Sequence, residues 1–189
     1  PLIHGDDGAK MSKRHGALGI ATYKEMGYLP EAVLNYLLRL GWSHGDDEII
    51  SLADAVNWFD IADTNRGAAQ FNFDKLSSLN AHYLRNTKDN RLVELIRPEI
   101  IRALGVTITN SESIRLAEGM SGLKERAKTL SQLIDLSLFY VRKRPLELDQ
   151  KAQNALTAQA KSLLLNLTQI LMLLTPWNEE NIETTIRKF

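Results

Sequence analysis

Beyond residue 20 apolar side chains recur at every third or fourth position, and nowhere does an every-second-residue alternation persist. That period limits the chain to an all-α fold. Across residues 29–40, Val33, Leu34, Leu37, Leu38 and Leu40 fall at helical spacing, with Pro30 at the start and Gly41 just past the end, which predicts a short, well-bounded helix. Ser51 and Asp54 form a capping-box pattern with Asp in place of the usual Glu or Gln, and Ala55, Val56 and Phe59 give the helix that follows an apolar side. Asp74 is expected to cap a helix carrying Leu76, Leu79, Tyr83 and Leu84. Three helices are thus predicted before a polar break at 86–90, where a domain boundary is placed.

The pattern after the break is helical as well. A helix over 91–104 is expected to be interrupted or kinked at Pro98 and stopped by Gly105. Further helices are expected over 111–118, 123–140, 149–174 and 179–189, with breaks at Gly119-Met120-Ser121-Gly122, Arg144-Pro145 and Pro176. No repeat of fixed period is present.

Composition narrows the class. The 189 residues are 44% apolar, and 23 Lys and Arg balance 23 Asp and Glu, a composition that folds. The absence of Cys excludes a disulfide framework and a cysteine-based zinc site, and the four His residues lack ligand spacing, so no metal site is expected. The most apolar stretch, 163–174, is interrupted by Asn166, Thr168 and Gln169 and is too short to cross a bilayer. No signal-peptide pattern opens the chain, so a cytoplasmic protein without membrane contact is expected. The first residue is Pro1 in place of a methionine, which reads as a piece of a longer protein.

Charge is uneven. Residues 1–85 carry 8 basic and 11 acidic side chains, and residues 86–189 carry 15 and 12. In the second part Lys124, Arg126, Lys128, Arg142, Lys143 and Arg144 face only Glu125 and Asp135 between 120 and 144. These form either a face for phosphates or an ordinary solvated helix surface. The densest chemistry lies earlier, in Gly8-Ala9-Lys10-Met11-Ser12-Lys13-Arg14-His15-Gly16, where glycines bracket three cationic side chains. Such a loop is able to close over a polyphosphate, its lysines following phosphate oxygens as charge develops. It is not a Walker A loop, because Met11 stands where Ser or Thr follows the lysine.

Lys10-Met11-Ser12-Lys13-Arg14 resembles the second nucleotide-binding motif of class I aminoacyl-tRNA synthetases, in the form of the glutamyl branch. Pro1-Leu2-Ile3-His4, Leu40-Gly41-Trp42, Phe73-Asp74-Lys75-Leu76 and Asn80-Ala81-His82-Tyr83-Leu84 extend the likeness over residues 1 to about 85; beyond that only the helical character matches. The resemblance implies a loop at the end of the catalytic domain (1–20), a helical stem-contact domain (21–85) and a helical anticodon-binding region (86–189). It implies an ATP-dependent ligase that attaches glutamate to its tRNA, with ATP and magnesium in the parent enzyme and none bound by this piece alone. Glutamate, ATP and the glutamate tRNA would be its partners, and the enzyme would be monomeric. Lys13 matches the motif lysine that contacts the triphosphate and stabilises the departing pyrophosphate, and Lys10 matches its assistant. Met11, Ser12 and Arg14 would shape the loop around the nucleotide. The first motif of the family, of His-Ile-Gly-His type, is not in this sequence, so this piece alone is expected to be inactive.

Other candidates are weaker. Asp6 and Asp7 read as a polar turn and 43–48 as an acidic turn, both without metal-ligand spacing. Trp42 and Trp58 are expected in the core, and Trp177 is left open between core and base stacking. A glutaminyl enzyme would carry β-barrels where this chain reads as helical. From a different class, a helical protein-interaction module with an incidental basic loop would also fit the period and the charge.

Overall fold

A computed structural model describes residues 2–5, 7–11, 19–105 and 107–189. The described residues are all-α apart from one pair of two-residue strands, and the chain divides into two compact units, 1–142 and 143–189. In the first unit β1 (Ile3–His4) precedes α1 (Ile20–Glu25), α2 (Pro30–Gly41), α3 (Leu52–Trp58), a 3-10 turn (Ile61–Asp63) and β2 (Ala69–Gln70). The helices α4 (Phe73–Asn86), α5 (Asp89–Leu104), α6 (Asn110–Arg126) and α7 (Leu130–Val141) complete it. The strands pair in parallel, Ile3 beside Ala69 and His4 beside Gln70, a pairing too short to leave a periodic signal in the sequence.

Local chemistry sets most helix ends. Pro30 opens α2 at the position where its missing N–H costs nothing, and Gly105 closes α5 in the left-handed region at φ 66°. Ser51 caps α3 by accepting from the Asp54 N–H, and its hydroxyl also donates to the Asp54 carboxylate at 2.6 Å. The cap of α4 is Asn72, not Asp74: Asn72 has extended backbone and accepts from the Lys75 N–H, which leaves Asp74 inside the first turn. Thr109 and Glu112 close a reciprocal capping box on α6.

Three expected breaks take another form. Pro98 leaves α5 uninterrupted, because it lies on the exposed side of a helix whose buried face is Leu92, Ile96 and Ile100, and water replaces the lost N–H there. Residues 119–122 continue α6 through both glycines. Gly119 serves packing: a Cβ there would sit 2.6 Å from the Tyr140 hydroxyl, so its absence lets α7 lie close against α6. The chain turns later, at Ala127–Thr129, where Thr129 caps α7. In the second unit, the single helix expected over 149–174 is two, α8 (Gln150–Ala155) and α9 (Ala158–Met172), because Thr157 accepts from Ala160 N–H and starts a new helix. The last helix is α10 (Glu179–Lys188), which packs on α9. None of the described helices is long and apolar enough to cross a membrane.

In the first unit α4 packs on α2 and on α6, and α5, α6 and α7 pack on one another. Leu29, Leu84, Leu92, Ile96, Leu116, Met120 and Leu133 are buried in one cluster, while Tyr23, Tyr28, Tyr36, Phe71 and Leu76 form a second, largely aromatic one. Asn80 is fully buried on α4 and joins three segments: its Oδ1 accepts from the Leu29 N–H at 2.8 Å, and its Nδ2 donates to the Lys128 carbonyl at 2.6 Å. Beside it Gly27, at φ 82°, comes so near Ser131 that a Cβ would lie 2.6 Å from that backbone nitrogen. Asn80→Ala strands a buried donor and a buried acceptor and is expected to cost about 2–4 kcal/mol of unfolding free energy. Urea unfolding of the variant beside wild type measures it.

A second buried amide, Asn35, accepts from the Ile50 N–H at 3.0 Å and from the Tyr83 hydroxyl at 2.9 Å. Burial, with the Glu31 charge adding, raises the Tyr83 hydroxyl above its ordinary value of 10.0. A proton held more tightly in the folded state stabilises it fully below the unfolded value, and that contribution fades as pH climbs through the raised one. The stability advantage of wild type over Tyr83→Phe is therefore level up to about pH 9 and narrows above about pH 10. Unfolding midpoints measured for both proteins across that range check the sign.

Candidate functional site

The segment that leads into the basic loop folds as a small hairpin. After β1 Gly8 takes φ 75°, and the chain returns so that Lys10 bridges His4 antiparallel; Asp6 lies outside the described residues. The Gly5 N–H donates to the Ala9 carbonyl at 2.9 Å, the Met11 N–H to the Ile3 carbonyl at 2.9 Å, and the Ala9 N–H to Asp7 Oδ1 at 3.0 Å. Asp7 thus serves the turn. His4 Nδ1 lies 2.8 Å from the Gly8 carbonyl.

This hairpin stands on the helical core. Ala69 N–H donates to the Leu2 carbonyl and Phe71 N–H to the His4 carbonyl, at 3.0 and 2.8 Å. Phe71 is buried against Tyr36, with ring centroids 4.9 Å apart, and Tyr36 accepts the Asn72 N–H at 2.6 Å, at the cap of α4. Met11 is half-buried against the same aromatic cluster, while Lys10 projects from the hairpin into solvent. Of the residues expected to handle the nucleotide, Lys10 and Met11 are therefore placed at an anchored root. Ser12, Lys13 and Arg14 lie outside the described residues.

Two concave surfaces adjoin the root. A recess of about 350 Å³ is lined by His4, Asp7, Gly8 and 68–70. A groove of about 750 Å³ runs between α2 and α4, where Arg39, Lys75, His82 and Arg85 face Glu48 and Asp74, and Gln70 lines both surfaces. These groove cations were not among the candidates read from the sequence. Their signal was present, since Lys75, Ser78, His82 and Arg85 share one polar stripe of α4 at spacings of three and four, opposite Leu76, Asn80 and Leu84.

Within the first unit Lys124, Arg126, Lys128 and Arg142 do not assemble as one cluster. Lys124 is committed to structure: it pairs with Asp89 at 2.7 Å and donates to the Thr87 carbonyl at 3.1 Å, joining α6 to the start of α5. Arg126 and Lys128 are exposed at one end of α7 and Arg142 at the other, separated by a 12-residue helix about 18 Å long. Trp42 is buried as expected, but Trp58 is 39% exposed and stacks on His44 with centroids 4.2 Å apart; Trp177 is exposed. Among the described residues no group of three His, Asp or Glu side chains gathers around a point fit for a metal ion.

The hairpin rests on two hydrogen-bonded strands and on a glycine in a region that disfavours other residues. Gly8→Ala meets no neighbour but must adopt positive φ, at about 1–2 kcal/mol. Hydrogen exchange at the Gly5 and Met11 amides is expected to speed up about tenfold, with exchange in α4 and α5 unchanged.

Residues 91–189 match the anticodon binding domain family, and residues 1–78 match the catalytic domain of class I tRNA synthetases (E and Q). Glutamate–tRNA ligase 2 of Rhodospirillum rubrum is 49% identical over 187 residues, covering 99% of this chain and 40% of that protein. Glutamate–tRNA ligase 2 of Paramagnetospirillum magneticum is 57% identical over 152 residues, covering 80% of this chain and 32% of its own length. The crystal structure of a glutamate tRNA ligase from Elizabethkingia meningosepticum superimposes with a TM-score of 0.75 at 26% identity, over 99% of this chain and 40% of that one. The chain thus spans about 40% of the length of such relatives. It belongs to the anticodon binding domain family, carries ahead of that domain sequence of the class I (E and Q) synthetase catalytic domain, and is homologous to part of a glutamate–tRNA ligase.

Proposed function

We propose that the parent protein is an ATP-dependent glutamate–tRNA ligase of the cytoplasm, working as a monomer, to which this chain contributes an ATP-contacting loop and tRNA-binding helices. The observation that carries the reading is the anchorage of the loop root: the hairpin ending at Lys10 and Met11 is hydrogen-bonded, through β2, to the start of the helix that lines the cationic groove. A loop that meets triphosphate and a surface that meets RNA phosphates are then mounted on one body, as a reaction that transfers glutamate from its adenylate to a tRNA hydroxyl, with AMP leaving, requires.

In this reading the glutamate carboxylate attacks the α-phosphorus of ATP, the bond to the bridging oxygen breaks, and pyrophosphate leaves with the electron pair. Lys13, assisted by Lys10, meets the charge growing on the leaving group, and Met11, Ser12 and Arg14 shape the loop around the nucleotide. No residue of this chain is assigned to hold magnesium, which would come with ATP and supply positive charge against its phosphates. Residues 21–85 are the stem-contact part and 86–189 the anticodon-binding part, divisions defined by the surface each presents to tRNA. Arg39, Lys75 and Arg85 in the groove supply point charges for the RNA backbone.

The interaction-module alternative would leave the loop without consequence and binding to tRNA absent. In the complete enzyme Lys13→Ala is expected to slow ATP–pyrophosphate exchange about 10²- to 10³-fold while glutamate affinity changes little, because the lost contact grows in the transition state. Exchange at the wild-type rate would end the assignment. The 189-residue chain by itself should bind glutamate tRNA weakly, and less as salt rises from 50 to 200 mM, as phosphate contacts release counterions.

A further inference from the structure

Helix α3 presents its apolar stripe outward. Leu52, Val56 and Phe59 recur at i, i+4 and i+7, a stripe that a surface helix turns toward the core. Here they are 61, 74 and 46% exposed, Ile61 in the next turn is 79% exposed, and only Ala55 of the helix is buried. Of the three apolar residues read on this segment, Ala55 is buried, while Val56 and Phe59 face outward.

The mount beneath is firm. Ala55 packs with the buried Trp42 and Ile50, the Trp42 ring lies 5.8 Å from Phe59, and Trp58 is stacked on His44. Asn65 N–H donates to the Gly41 carbonyl at 2.7 Å, tying the far end of the segment to the end of α2. A held apolar surface of this kind marks an interaction site.

Charge selects the partner. Between Ser43 and Asn65 there are six carboxylates (Asp46, Asp47, Glu48, Asp54, Asp60 and Asp63) and no Lys or Arg, although the whole chain is neutral. The described charged contacts are an ion pair from Arg39 to Glu48 at 3.5 Å and the His44–Asp47 contact at 3.0 Å. RNA phosphates and an anionic lipid surface are repelled by such a rim, and a second copy of the chain would bring its own six carboxylates against it. We propose that the outward face of α3 and the following turn is a docking surface for a separate protein bearing a cationic, amphipathic helix, whose apolar residues cover Leu52, Val56 and Ile61 while its Lys or Arg meet the acidic rim. This surface is independent of the nucleotide loop and of the ligase reading.

The test uses a 14-residue helical peptide of Leu and Lys and its counterpart with Glu in place of Lys, titrated into the 189-residue chain and followed by tryptophan fluorescence. The Lys peptide is expected to bind saturably at one site, about tenfold more weakly at 200 mM than at 50 mM salt, and the Glu peptide not to bind. Val56→Asp and Asp54→Lys should each weaken the Lys peptide at least tenfold, while Leu173→Asp, on an exposed apolar position of the other unit, leaves it unchanged. Val56 is solvent-facing, whereas Asp54 is partly buried and accepts from the Ser51 hydroxyl at the start of α3, so unchanged circular dichroism and melting temperature are the measurements that establish that both variants fold. Equal binding of both peptides, or indifference to Val56→Asp, overturns the proposal. So does a loss of tRNA affinity in Leu52→Ala/Val56→Ala, which would make this an RNA face, or a wild-type dimer dispersed by that change, which would make it a self-interface. Binding to this chain but not to the complete parent enzyme would assign the surface to another part of that enzyme and overturn the separate partner.

Discussion

The carboxamide of Asn80 is the contact on which the first unit turns. In a fully buried site an amide needs both a donor and an acceptor, and Asn80 finds them on the backbone at Leu29 and at Lys128, 51 and 48 residues away. That one side chain fixes where α2 begins relative to α4 and where the turn between α6 and α7 lies. Apolar burial around Leu84, Leu92 and Leu133 supplies the driving force, but it is non-directional; the paired amide selects one arrangement. Glu31–Arg91 then ties α2 to α5, and Lys124–Asp89 ties α6 to α5; the first is partly exposed and contributes less.

From that frame the site follows by short steps. The aromatic cluster of Tyr23, Tyr36 and Phe71 holds the end of β2, β2 holds β1, and β1 holds the hairpin that ends in Lys10. The groove beside it collects Arg39, Lys75 and Arg85 on the polar stripes of α2 and α4. In the first unit the groove therefore brings Arg39, Lys75 and Arg85 together opposite Glu48 and Asp74, while the segment around α3 carries carboxylates and no Lys or Arg. Near-neutrality of the whole chain conceals this, because the sum over residues carries no information about which face each occupies.

Much of the fold was legible because helix ends are decided locally. Pro30 and Gly105, and the Ser51 hydroxyl facing Asp54, act on backbone groups within four residues, so the sequence nearby suffices to read them. Where reading failed, a distant partner intervened. Gly119 looked like punctuation and is instead the seat of Tyr140, a residue 21 positions later. Pro98 looked like a break and is tolerated because its side of α5 meets water. Asp74 yielded to Asn72 because the backbone there is already extended by β2 and by the bond to Tyr36. The six-residue α1 and the strand pair were too short to carry a period.

By itself the sequence determined that the chain is helical, where most helices start and stop, and that its early basic loop is of the type found in class I synthetases, since periodicity, capping and motif are properties of neighbouring residues. Only the tertiary structure decided that Lys124 pairs with Asp89 and joins α6 to the start of α5, that Arg126 and Arg142 stand at opposite ends of α7, and that the apolar stripe of α3 faces solvent. Those outcomes depend on which elements pack together, and packing is set by shape and by paired polar groups far apart in the chain. No local pattern encodes that.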